Sequence, residues 1–281
     1  MEELDHTSSY PPPVDRLLTY GEAEVVEADD WPNYLELGLG PEHIPDLIRM
    51  ATDEKLNKAD PDSLESWAPI HAWRALGQLR AEAAIEPLLS LFDKLEDSEW
   101  VAEELPEVLG MIGPAALPAL AAYIADRSHK RWPLINASSG VQAIATRWPE
   151  ARSESIAILS KQLEQFAEND PEFNAFLILD LVHLGAKEAA PLMEQAFAAD
   201  RVENFVMGDW DDVQVRLGLK PAEEVEQKRS ERRAEMLPRW TPSEVTAPQV
   251  SSEPRRRSGA SQRKKAKNKM IKQSRKKNRK R

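Results

Sequence analysis

Ala75-Leu76-Gly77-Gln78-Leu79, followed six residues later by Ile85-Glu86-Pro87-Leu88-Leu89, is the passage from which the fold is read. Its apolar residues continue as Ile85, Leu88, Leu89, Leu91 and Phe92, spaced i, i+3, i+4 and i+7. That spacing places them along one stripe of an α-helix, because 3.6 residues make a turn. Gly lowers the steric cost of ending a helix, and Pro is tolerated in a first turn, where its missing amide has no partner to lose. The passage therefore predicts a helix ending near a Gly, a short turn, and a second helix with Pro in its first turn.

The same passage recurs. Val108-Leu109-Gly110-Met111-Ile112 precedes Leu117-Pro118-Ala119-Leu120, and Leu181-Val182-His183-Leu184-Gly185 precedes Ala190-Pro191-Leu192-Met193. An earlier copy is Leu37-Gly38-Leu39-Gly40 with Ile44-Pro45-Asp46-Leu47; a degraded one is Ala143-Ile144-Ala145 with Trp148-Pro149. Anchored on Leu39, Leu79, Ile112, Ala145 and Leu184, the intervals are 40, 33, 33 and 39 residues. One such pair cannot bury its own stripe, so pairs are expected to stack. The expectation is an all-α fold: a right-handed α-solenoid of about five helical pairs over residues 31–219.

In period and in its Leu-Gly…Ile/Leu-Pro-x-Leu pattern the chain resembles the HEAT-type α-solenoids. Ile70-His71-Ala72, the stretch up to Leu91, and Gly208-Asp209-Trp210-Asp211-Asp212-Val213 are similar to an uncharacterised bacterial group, the domain of unknown function numbered 1186. The resemblance covers about residues 31–217. Members of such families often carry a basic linker and a C-terminal cysteine-rich zinc motif (SEC-C). Here the basic segment is present without any cysteine.

The charge is partitioned. The 281 residues hold 37 Lys+Arg and 48 Asp+Glu, a net of −11. Residues 255–281 carry 15 cations and no acid: Arg255, Arg256, Arg257, Arg263, Lys264, Lys265, Lys267, Lys269, Lys272, Arg275, Lys276, Lys277, Arg279, Lys280 and Arg281. Residues 1–254 are left with 22 cations against 48 acids, a net of −26. The basic tail is nearly devoid of apolar residues and reads as disordered. It suits a polyanion through counterion release, with RNA, anionic lipid or the acidic body as candidate targets. It has no aromatic residue to stack on a base.

The rest divides by composition. Residues 1–30, with a Pro triplet and an acidic stretch, read as weakly ordered. Residues 220–237 read as a polar helix, acidic first and basic last, and 238–254 as a Pro-containing linker. The acidic start shows no signal-peptide pattern, no apolar run approaches the roughly 18 residues of a membrane span, and the absence of cysteine fits a reducing cytoplasm. No thiolate zinc site or cysteine nucleophile is available.

No phosphate-binding Gly loop, GxSxG elbow or HExxH motif occurs. The candidate residues are therefore few. His71, on a predicted helix, is either a general base or a ligand, or else a packed or partly exposed histidine. Glu103 and Glu104, within an acidic run around Trp100, are either a landing site for a basic partner or a solvated face. Asp209, Asp211 and Asp212 offer oxygen ligands to a hard cation, or alternatively cap a helix. The eight tryptophans are expected mostly as packing anchors, with one or two as exposed contact points.

The functional expectation is a non-enzymatic scaffold or adaptor without a cofactor, binding a protein partner on its surface. Two alternatives stand beside it: an RNA- or ribosome-associated protein recruited by the tail, and a bilin-lyase-like HEAT enzyme or chaperone.

Overall fold

In the computed structural model, residues 10–24 and 26–236 are described; the polybasic residues 255–281 lie outside them. The chain divides into two units, 1–231 and 232–281, and of the second only the end of one helix is described. Among the described residues every regular element is helical.

Twelve α-helices follow in order: α1 (Ile44–Ala51), α2 (Glu54–Asn57), α3 (Ala68–Gln78), α4 (Ile85–Lys94), α5 (Glu99–Ile112), α6 (Leu117–Ala125), α7 (Arg131–Arg147), α8 (Arg152–Leu163), α9 (Pro171–His183), α10 (Ala190–Ala198), α11 (Trp210–Arg216) and α12 (Ala222–Met236). α4, α6, α8 and α10 are each entered through a three-residue 3-10 turn: Glu82–Ala84, Pro114–Ala116, Pro149–Ala151 and Lys187–Ala189. That shared entry is the structural counterpart of the repeated sequence passage.

The odd-numbered helices α1, α3, α5, α7 and α9 pack against one another in succession. α4, α6, α8 and α10 form a second succession, and α4–α5, α6–α7, α7–α8 and α8–α9 contacts join the two rows. The apolar stripes meet between the rows: Leu76, Leu88, Phe92, Leu105, Leu109, Leu120, Ile144, Leu159, Leu177 and Leu181 are all buried.

Glycines in and beside the repeated passage take two roles. Gly113, at φ +99°, closes α5, and Gly185, at φ +59°, follows α9; both occupy the left-handed region that L side chains disfavour. Gly110, in contrast, lies inside α5. A Cβ there would stand 2.9 Å from Ala143 Cβ and 3.2 Å from its carbonyl carbon, so this glycine lets α5 and α7 approach.

The expectation of weak order for residues 1–30 is corrected from Tyr10 onward. Val14, Leu17 and Leu18 are buried in the main core, and Tyr10 Oη donates to Asp53 at 2.8 Å. The segment is too short to show helical periodicity in sequence, and its order comes from what it packs on.

Candidate functional site

Three residues singled out separately in the sequence, His71, Trp100 and Glu104, converge around a fourth that was not, Arg74. α3 places His71, Arg74 and Gln78 three and four residues apart, hence on one side of the helix. The guanidinium of Arg74 forms a fork with the Glu104 carboxylate of α5: Nε to Oε2 at 2.8 Å and Nη2 to Oε1 at 2.5 Å. Trp73 Nε1 donates to the same Oε2 at 3.1 Å. Both charged residues are buried, so their pairing is obligatory: an isolated charge there would cost several kcal/mol. Trp31 stacks on the guanidinium at 4.9 Å, and Trp100 stands 6.0 Å away, set edge-on to Trp67 at 5.5 Å.

The same side of α3 binds the N-terminal segment through its backbone. Arg74 Nη2 donates to the Glu24 carbonyl at 2.9 Å, Gln78 Nε2 donates to the Pro32 carbonyl at 2.8 Å, and Gln78 Oε1 accepts from the Tyr34 amide at 2.9 Å. His71 Nε2 lies 3.0 Å from the Gly21 carbonyl, which requires the proton on Nε2. Nδ1 then accepts from Tyr34 Oη at 2.7 Å. Burial is the main cause that lowers the His71 pKa to about 4, so the ring is neutral at pH 7. With both nitrogens engaged, His71 acts as a fixed strut between α3 and the N-terminal segment. Of the readings open for His71, this interior position is that of a packed histidine.

The acidic run around Trp100 does not form one face. Glu104 turns inward to Arg74, Glu96 pairs with Lys130 at 2.6 Å, and Glu103 is exposed. Glu103 and Glu104 are adjacent, and one residue is about 100° of helical rotation, so neighbours must diverge.

Asp209, Asp211 and Asp212 are likewise consumed internally. Asp209 caps α11 in a reciprocal box with Asp212, the arrangement that satisfies two free amides at a helix start. Arg229 of α12 reaches Asp209 and Asp212 at 2.8 Å, and Lys220, ahead of that helix, reaches Asp211 at 2.6 Å. Hydrogen bonds from Lys220 and Arg229 hold the Asp211 and Asp212 carboxyls below the ordinary carboxylate range. Among the described residues no group of three His, Cys, Asp or Glu is placed to hold a metal ion.

One buried titratable group escaped the sequence reading entirely. Asp180 of α9 is interior, and the Ser138 hydroxyl of α7 donates to its Oδ2 at 2.7 Å while also facing the Ile135 carbonyl at 2.9 Å. Burial pushes the Asp180 carboxyl up to about 7, partly offset by Ser138. An acid one residue from an apolar stripe carries no local signal of this; only the packing of α7 on α9 creates it.

A shallow cleft of about 230 Å³ runs between α6 and α8, lined by Ala121, Ile124, Ala157 and Ile158 with Glu154 and Lys161 at its edges. No single helix among the described residues is long and apolar enough to cross a membrane. Comparison with protein-family models, with curated proteins and with solved structures found no match.

Proposed function

We propose that this chain is a non-enzymatic cytoplasmic adaptor: a HEAT-like, right-handed solenoid of about five helical pairs that offers its surface to a protein partner, with residues 255–281 as an arm for a polyanion. The observation that carries this reading is the succession of like helices, α1 on α3 on α5 on α7 on α9, with α4, α6, α8 and α10 alongside. In such a succession each pair adds surface, and repeat proteins use that surface for extended contacts. The consumption of His71, Glu104, Asp209, Asp211 and Asp212 in internal bonds supports a binding role over chemistry. The lack of cysteine supports a reducing compartment.

Affinity capture with the full chain and with a 1–254 truncation, each with and without nuclease, separates the two parts. A partner retained by 1–254 after nuclease treatment supports the adaptor reading, and capture that disappears entirely with the tail refutes it. A second reading, recruitment to RNA or the ribosome, is favoured by the 15 cations of the tail. Binding to single-stranded RNA should then weaken by about 0.7 log units per log unit of salt for each phosphate contact. Salt-insensitive binding by the full chain overturns it.

A further inference from the structure

The apolar adhesion of the chain ends before its last described helix. α10 and α11 still contribute Met193, Ala196, Val213 and Leu217 to the main core. In α12 the side chains of residues 222–233 are exposed, apart from Val225 and Arg229. Val225 is buried, but it stands outside the apolar cluster that Val213 and Leu217 belong to. Arg229 is partly buried. Four residues separate the two, so they share one side of the helix.

Charge holds α12 instead. Arg229 forks onto Asp212, with Nη1 donating to Oδ1 at 2.9 Å and Nη2 to Oδ2 at 2.8 Å, and Nη2 also donates to Asp209 Oδ1 at 2.8 Å. Lys220 adds its pair with Asp211 at the entry to the helix. The acceptors are set by α11 itself. The Asp209 amide donates to Asp212 Oδ2 at 3.0 Å, and the Asp212 amide to Asp209 Oδ1 at 3.2 Å. A Cβ at Gly208 would collide with Asp212 Oδ2, so the carboxylate is seated against bare backbone. These bonds do not involve Arg229, so α12 can leave while α11 keeps its cap. The carboxylates also stay wet, Asp209 at 52% and Asp212 at 32% exposed, which leaves the contact open to screening by salt.

We propose that α12 is an ion-operated latch: Arg229 on Asp209 and Asp212, with Lys220 on Asp211, holds it closed, and raised ionic strength releases it while the helices before it stay folded. The screening length falls from about 10 Å at 0.1 M salt to about 3 Å at 1 M. Exposed ion pairs weaken over that range, and apolar contacts do not. A single helix of this length is marginal in water, so the released residues fray and become the least stable part of the described chain. Release adds residues 220–236 to the tether of the C-terminal residues, roughly 50–60 Å when extended. The latch rests on the contacts of Arg229 and Lys220, and it is independent of what residues 255–281 bind.

The test is hydrogen–deuterium exchange on the full-length chain at about 0.1 M and about 1 M potassium chloride, with α5 as the internal reference. Protection of the amides of residues 226–233 should fall by roughly 3- to 100-fold at the higher salt, while that of α5 does not change. Arg229→Gln combined with Lys220→Gln should show the lower protection already at the lower salt, with little further response. Arg229→Lys, which keeps the charge without the fork, should lie between that variant and wild type. Glu224→Gln removes the pair with Lys228 inside α12 and should retain most of the salt response. Equal wild-type protection at the two salts overturns the latch, as does a full response surviving in the Arg229→Gln, Lys220→Gln variant. Loss of the response in Glu224→Gln would assign it to the helix itself and overturn the latch as well. A fall shared equally by α5 and α12 has the same consequence, because salt then acts on the whole fold.

Discussion

Replacing Asp180 by Asn should change how stability depends on pH more than it changes stability itself. The folded carboxyl titrates at about 7, against 3.8 for an ordinary aspartate, because it is buried with Ser138 as its hydrogen-bond donor. Between those pH values the unfolded chain has lost this proton and the folded chain keeps it. Raising the pH therefore favours unfolding: the contribution is intact below about pH 4 and lost as pH rises through about 7. At 1.36 kcal/mol for each pH unit, the loss is about 4 kcal/mol. His71 works in the opposite direction. Its folded pKa of about 4 lies below the ordinary 6.5, so stability is full above pH 6.5 and about 3 kcal/mol is lost as pH falls to 4. In the wild type the two trends largely cancel over this window. Asp180→Asn removes one of them and keeps an acceptor for Ser138. The assay is urea unfolding at several values between pH 4 and 8, read as the difference between variant and wild type. The variant should gain about 4 kcal/mol relative to wild type across that range. A difference that stays constant with pH would refute the account of Asp180 as a buried acid with a raised pKa.

Two further outcomes follow from the packing. Glu104→Ala leaves Arg74 buried without its carboxylate and should cost about 3–5 kcal/mol in chemical denaturation; a cost below about 1 kcal/mol would mean that water reaches the guanidinium. Gly110→Ala sets a methyl against Ala143, including its backbone at 3.2 Å, and should cost about 1–3 kcal/mol. Gly77→Ala meets the Met111 side chain, Sδ at 3.2 Å; a thioether can rotate away, and the gain in helix propensity of about 1 kcal/mol offsets the contact. Equal melting shifts for the two glycine variants would contradict the close approach of α5 and α7 at Gly110.

What the sequence determined by itself is local. The 3.6-residue spacing of Ile85, Leu88, Leu89 and Phe92, with Pro in first turns, specified helices because helical phase and first-turn chemistry are properties of a few consecutive residues. The helix cap at Asp209 and the polar character of α12 were open to the same reading. The tertiary structure decided whatever depends on residues far apart in the chain. It chose Glu104 over Glu103 as the partner of Arg74, 30 residues away. It fastened Gly21, Glu24 and Pro32 onto α3 through carbonyls that any sequence would possess, so no side-chain pattern advertised it. It raised the Asp180 carboxyl to about 7 by burying it beside Ser138 of α7, 42 residues distant. Burial and pairing are set by which surfaces meet, and that information is held by the packed chain rather than by any single stretch of it.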